Sequence, residues 1–142
     1  MKASARNQFS GIVKEVRVGA VNAEVHIDLK GSETIVASIT KESIETLAIE
    51  NGLEVLALVK APQIILVTDF GGYKLSARNQ LQGKITSVKH GAVNSEVEIR
   101  LNGGELVAAT VTNESVSTLN LIEGQIATVV FKASAVILAV AV

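Results

Sequence analysis

Residues 4–8 and residues 76–80 both read Ser-Ala-Arg-Asn-Gln. Sliding the chain by 72 positions aligns its two halves without a gap, and positions 4–67 then share 28 identities in 64 with positions 76–139. Gly11 falls on Gly83, and Gly19-Ala20-Val21-Asn22 on Gly91-Ala92-Val93-Asn94. Thr40, Glu42 and Ser43 fall on Thr112, Glu114 and Ser115, and Lys60-Ala61 on Lys132-Ala133. Chance would match only a few positions, so one module has been duplicated, and each copy must fold the same way. The pattern breaks near Thr68 to Tyr73, where two glycines stand side by side. The expected domains are therefore 1–70 and 71–142. A domain of about 70 residues buries only about 60% of its unfolded surface. The copies, and further chains, are expected to cover one another.

Each copy reads mainly as strand. Residues 21–30 alternate: Val21, Ala23, Val25, Ile27 and Leu29 take one face, while Asn22, Glu24, His26, Asp28 and Lys30 take the other. That is a half-buried strand, and 93–102 repeats it. A strand over Phe9 to Val18 precedes it, and Gly31-Ser32 turns into another over Thr34 to Ile39. Thr40 then reads as the N-cap of a short helix through about Ile49, with Ile44, Leu47 and Ala48 on one face and Asn51-Gly52 stopping it. Strands Leu53 to Lys60 and Gln63 to Thr68 follow, and Pro62 between them belongs at an edge or bend. Three strands, a helix and two strands is the order of a small OB-type Greek-key barrel. The fold class expected is mainly all-β: two tandem five-stranded barrels, each with one short helix.

Val55 to Val59 is apolar on both faces, as is Ala135 to Val142. Such strands need cover from elsewhere, either the other half of the chain or another subunit, and a homo-oligomer is expected. The longest apolar runs are about ten residues, against the ~20 that span a bilayer. The start, MKASARNQF, lacks the apolar stretch of a secretory signal. A cytoplasmic protein with no membrane partner is expected.

Catalysis is hard to build from these residues. There is no cysteine, and the only histidines are His26 and His90. Neither is duplicated: His26 falls on Glu98, and His90 falls on Val18. His26, on a polar strand face, reads as a solvated side chain. No Ser-His-Asp set, P-loop or dinucleotide glycine pattern occurs. No enzyme and no catalytic cofactor are expected. Net charge is −1 and aromatic content is 3%, which supplies neither the field nor the stacking platforms of a nucleic-acid binder.

The duplicated polar residues form another set: Ser4, Arg6, Asn7, Thr40, Ser43 and Lys60, with Ser76, Arg78, Asn79, Thr112, Ser115 and Lys132. All donate hydrogen bonds and two in each copy are cationic, an inventory for a small anion that needs no carboxylate beside it. Alone, Thr-x-x-Ser is a helix cap and a lone lysine is a solvated strand end. Joint retention argues otherwise, because neighbours such as Lys41 and Asn113, or Asp28 and Arg100, have diverged.

The segments SARNQ, GAVN, ITKES and LVKAP, in this order and spacing, resemble the molybdate-binding Mop domain of molbindins. The resemblance covers nearly the whole chain, once per half. It implies OB-like domains in a homotrimer that binds molybdate, or tungstate, for intracellular storage and homeostasis, with sites where subunits meet. By motif position, Ser4, Ala5, Arg6, Lys60, Ala61 and Pro62 would supply one side of a site, and Thr40 and Ser43 of a neighbouring domain the other. In the second copy the parts would be Ser76, Ala77, Arg78, Lys132, Ala133 and Ser134, facing Thr112 and Ser115. Gly19, Ala20, Val21 and Asn22, with Gly91, Ala92, Val93 and Asn94, would line further anion sites near the three-fold axis. Pro62 becoming Ser134 restores an N–H and adds a hydroxyl, so the halves are expected to differ in affinity. No helix-turn-helix or ATPase domain precedes the module, so a regulator or transporter is not expected. The rival readings are an OB-type oligonucleotide binder and a purely structural assembly module.

Overall fold

The computed structural model describes residues 1–142 throughout. Its first half runs β1 (Asn7–Val18), β2 (Asn22–Leu29), β3 (Thr34–Thr40), α1 (Lys41–Leu47), β4 (Glu54–Val59) and β5 (Ile65–Val67). The second half repeats this as β6 (Asn79–His90), β7 (Asn94–Leu101), β8 (Leu106–Thr112), α2 (Asn113–Leu119), β9 (Ile126–Phe131) and β10 (Ile137–Ala139). Single 3-10 turns at Ala61–Gln63 and Ala133–Ala135 precede the last strand of each half, and Pro62 lies within the first of them.

The strands form two curled five-stranded sheets, and neither sheet is built from one half alone. Their orders are β10-β4-β1-β2-β3 and β5-β9-β6-β7-β8. β5 crosses to the second half, pairing Ile65 with Val130 and Leu66 with Val129. β10 crosses back, pairing Ile137 with Leu58 and Leu138 with Ala57. The apolar run Val55 to Val59 thus finds cover from the other half of its own chain. Val55, Ala57, Leu58 and Val59 are buried. Large apolar side chains still face outward at Ile65, Ile122, Ile126 and Ile137.

β1 is long enough to serve two neighbours. Its N-terminal part pairs with β4 from Asn7↔Val59 to Ile12↔Glu54, and its C-terminal part pairs with β2. A bulge between Val13 and Glu15 turns the strand from one neighbour toward the other, as the shift between Ile85 and Ser87 does in β6. Gly11 lies where β1 bends over β2. A Cβ there would sit 2.5 Å from Ile27 Cγ2 and 2.7 Å from the Asp28 oxygen. Gly83 is equally crowded by Arg100 O at 2.5 Å. The duplicated glycine is therefore a packing requirement.

The helices are shorter than the sequence pattern implies. α1 ends at Leu47, because Ala48 turns left-handed (φ 52°) and its N–H bonds back to Glu45 and Ile44 oxygens. Asn120 does the same in the second copy (φ 53°). The early stop lets Ile49 drop into the core, where it is buried. Ala48 is consequently outside the helix and exposed. Asn51-Gly52 forms the turn into β4 instead of the helix stop.

One aliphatic core runs through both halves, joining Phe9, Val25, Ile27 and Ile35 to Val97, Ile99, Val107 and Phe131. Two polar devices lock the halves together. The buried Asn79 side chain accepts from Val36 N–H at 2.8 Å and donates to Val36 O at 2.8 Å. Asn7 makes the same pair of bonds to Ala108 N–H and O, also at 2.8 Å. Both therefore satisfy backbone groups on the outer edge of the opposite half's third strand. At the hairpin tips Gly31 and Gly103 touch backbone to backbone, and Glu33 Oε1 accepts from Gly103 N–H at 2.9 Å.

Candidate functional site

The strand exchange decides which motif residues can meet. The 3-10 turn Ala61–Gln63, which follows Lys60, packs on β8, and the turn Ala133–Ala135, which follows Lys132, packs on β3. Those strands end at Thr112 and Thr40, the hydroxyl caps of the opposite copies. Register places Arg6 and Lys60 together, because both lie one residue beyond the Asn7↔Val59 pair. Arg78 and Lys132 lie likewise beyond Asn79↔Phe131. Each cationic pair of one half is thus set against the third strand of the other half. No direct bond joins the lysines to the hydroxyl caps.

Among the four duplicated motif cations, the two lysines are the uncommitted ones. Lys60 and Lys132 are exposed at the ends of β4 and β9, and neither makes a salt bridge. Ser4 and Ser76 lie exposed ahead of β1 and β6, with Ala5 and Ala77 half-buried beside them. Ala61 is buried and Ala133 half-buried, while Pro62 and Ser134 face solvent.

The arginines differ from expectation, because each is met by a carboxylate from the other half. Arg6 Nη1 and Nη2 donate to Glu96 Oε2 and Oε1 at 2.9 and 2.6 Å. Arg78 Nη1 donates to Glu24 Oε2 at 2.6 Å. Glu24 and Glu96 are themselves repeat equivalents. The signal for them was present in the duplication, but it was masked by the alternating polar face they share with ordinary surface residues. His26 is also not free in solvent: its Nε2 lies 2.8 Å from Glu24 Oε1, and its side chain is only 15% exposed. The His26 hydrogen bond, and then that of Arg78, hold the Glu24 carboxyl below its ordinary value. On β1, Arg17 does the same to Glu15. Asn7 and Asn79, read from sequence as ligand donors, are engaged by backbone instead.

Thr40 and Thr112 act as helix caps. Each hydroxyl oxygen accepts from the N–H of Ser43 or Ser115 at 3.1 Å. Each hydroxyl also donates to the serine Oγ, at 2.9 and 2.8 Å. The serine hydroxyl protons stay free to point outward.

The turns Gly19–Asn22 and Gly91–Asn94 are exposed tips. Gly19 N–H closes the first on Asn22 O at 2.8 Å, and Gly91 N–H closes the second on Asn94 O at 2.9 Å. Around the second tip only, Ser95 contacts His90 Nδ1 at 3.3 Å and donates to Asn113 Oδ1, and Asn113 Nδ2 donates to Gly91 O at 2.9 Å. Ala23, Val18 and Lys41 stand at these places in the first copy. Beside the first tip an open cleft of about 400 Å³ runs from Asn22 past Glu24 and Ser38 to Arg78. No helix is long and apolar enough to cross a membrane.

The TOBE domain model matches residues 3–66 and again residues 75–138. A solved structure described as the cytoplasmic molybdate-binding protein ModG, with molybdate bound, matches with a TM-score of 0.96. It is 49% identical, over 99% of this chain and 100% of that one. The molybdenum transport protein ModE of Azotobacter vinelandii is 48% identical over 140 residues, 99% of this chain and 52% of its own length. The molybdenum-pterin-binding protein MopA of Rhodobacter capsulatus is 37% identical over 139 residues, 98% of this chain and 52% of its own length. The chain thus spans about half the length of the curated relatives it matches.

Proposed function

The chain belongs to the TOBE-domain family, with one copy in each half, and on that premise we propose that it binds molybdate without transforming it. The observation that carries this is the full-length match to ModG at 49% identity. It agrees with the donor sets that both copies of this chain retain. Ser4, Ala5, Arg6, Lys60, Ala61 and Pro62 form one cationic face, and Ser76, Ala77, Arg78, Lys132, Ala133 and Ser134 the other. Thr112 and Ser115, or Thr40 and Ser43, complete each site from the abutting domain. The tips Gly19 to Asn22 and Gly91 to Asn94 line a second class of anion site where chains meet.

The chemistry fits the ligand. Molybdate is a dianion at neutral pH, and its removal from water is costly unless donors replace the lost hydrogen bonds. Charge-assisted bonds contribute on the order of 1.5–3 kcal/mol each, so lysine, arginine and two hydroxyls give useful affinity without a metal. Phosphate is partly protonated at neutral pH, and a phosphate O–H turned toward one of these donors costs on the order of 1–3 kcal/mol. Tungstate, of the same charge and shape, binds equally well. The function is cytoplasmic storage and homeostasis of the oxyanion, in a homotrimer that covers the exposed Ile65, Ile126 and Ile137. Nucleic acid is not a ligand, in keeping with the net charge of −1.

The test is thermal unfolding with added oxyanion. A ligand held only by the folded assembly stabilises it by about 2.7 kcal/mol at one hundred times its dissociation constant. Molybdate and tungstate raise the melting temperature and phosphate does not. Lys60→Ala and Lys132→Ala each remove a separable class of sites in equilibrium dialysis. A melting curve indifferent to millimolar molybdate would overturn the reading.

A further inference from the structure

Both arginines of the candidate sites already hold an anion that belongs to the protein. Glu96 takes both terminal nitrogens of Arg6, at 2.9 and 2.6 Å. Glu24 divides itself: Oε2 accepts one nitrogen of Arg78 at 2.6 Å, and Oε1 faces His26 at 2.8 Å. In each case the carboxylate comes from the third-strand side of the opposite half, where Glu24 lies opposite Ser38 and Glu96 opposite Thr110. A guanidinium presents a planar fork that suits a carboxylate and a tetrahedral oxyanion by the same geometry. Two anions cannot use one edge of that fork together. The carboxylate is tethered and therefore always at hand.

We infer that Glu24 and Glu96 are affinity-determining residues for the oxyanion: built-in competitors that occupy Arg78 and Arg6 in the empty protein and release the fork when the ligand enters. The inference rests on the reading that these arginines meet the oxyanion. It adds an asymmetry that the duplicated motif conceals. Arg6 has both terminal nitrogens engaged. Arg78 keeps one terminal nitrogen without a partner, at the edge of the cleft that contains Asn22, Ser38 and Arg17. The two arginine sites are therefore unequal in the empty state, and Arg78 is the less fully engaged of the two.

Isothermal titration with sodium molybdate at pH 7.5 tests this on the full chain. Wild-type protein that gives no binding isotherm overturns the functional reading itself. With binding established, Glu24→Gln and Glu96→Gln keep the side-chain shape and remove the charge. Each is expected to raise affinity at its own class of sites by about two- to five-fold, the range of a half-exposed ion pair. Glu96→Gln gives the larger gain, because two bonds are released rather than one. In an Arg78→Gln background, Glu24→Gln has no effect on affinity. Folding is checked by the melting temperature of each variant without ligand. Unchanged or weaker binding by folded Glu→Gln variants overturns the inference and makes the pairs simple clamps between halves. An equal gain in the Arg78→Gln background also overturns it, because net charge alone would then explain the effect.

Discussion

Asn79→Ala should be the most damaging single polar substitution in this chain. The Asn79 side chain is 2% exposed, and Val36 beside it is 8% exposed. Its amide closes two bonds of 2.8 Å on the N–H and carbonyl of Val36, at a strand edge that no neighbouring strand covers. Truncation removes both partners at once. Each buried backbone group left unsatisfied costs about 1–3 kcal/mol, and water entering the small gap recovers part of this. The expected loss is about 2–4 kcal/mol, or about 6–15 °C in melting temperature for a chain of this size. Urea unfolding followed by circular dichroism measures it, with an unchanged m-value showing that the compactness of the two states is preserved. Asn7→Ala should cost less, because Ala108 is only half-buried. Asn79→Asp is the sharper probe. At pH 7 the carboxylate cannot donate to Val36 O and costs at least as much as alanine. Protonated, it can donate again, so its deficit shrinks as pH falls. An Asn79→Ala protein melting within about 2 °C of wild type, inside the usual range for surface changes, would refute the clamp.

Gly83→Ala must displace Arg100 O or Ile99 Cγ2, which a Cβ would approach to 2.5 and 2.8 Å. A loss of about 1–3 kcal/mol in urea unfolding is expected. Deleting residues 137–142 removes β10 from β4. Amides of β4 should then exchange hydrogen faster, while those of β9, still covered by β5, should not. Glu15 and Glu24 have folded-state values depressed below the ordinary 4.5. Their contribution is therefore present above about pH 4.5 and lost as pH falls below it. The melting temperature should drop on acidification through that range, and Glu24→Gln should flatten the drop.

Much of this was legible because the sequence states it twice. The alternation from Ala23 to Leu29 located β2, and the turn at Gly31-Ser32 located the hairpin to β3; Val21, read as the first residue of the buried face, lies instead in the tip before the strand and is exposed, as is Val93. Helix length was not legible, since an αL residue at Ala48 carries no mark that separates it from a helical alanine. Strand exchange was not legible either. Ile65 to Val67 and Ile137 to Ala139 have the same apolar pattern whichever copy they pair with, and pairing partners leave no trace in periodicity. Joint retention singled out lysines, serines and threonines as candidate ligand donors. Asn79 was retained just as strictly for a structural reason, so retention alone could not tell a ligand donor from a backbone clamp.

The exchange of β5 and β10 ties each half's cationic pair to the other half. A cationic pair such as Arg78 and Lys132 faces the third strand of the other half, so one module alone holds only half of each arrangement. Duplication places both halves in one polypeptide at fixed concentration, and the clamps Asn7 and Asn79 hold each cationic pair in register. Within that frame the copies are free to diverge where no cross-half contact constrains them. Around the second tip they have done so: Ser95 uses its one proton on Asn113 Oδ1, so the proton between His90 and Ser95 must come from His90 Nδ1. The resulting chain runs from His90 through Ser95 and Asn113 to Gly91 O, and stiffens a tip that in the first copy has Val18, Ala23 and Lys41. The arginines, lysines and capping hydroxyls, which lie against the opposite half, are unchanged between copies, and so are the tip residues themselves; the residues packed around the tips, Val18, Ala23 and Lys41 against His90, Ser95 and Asn113, are not.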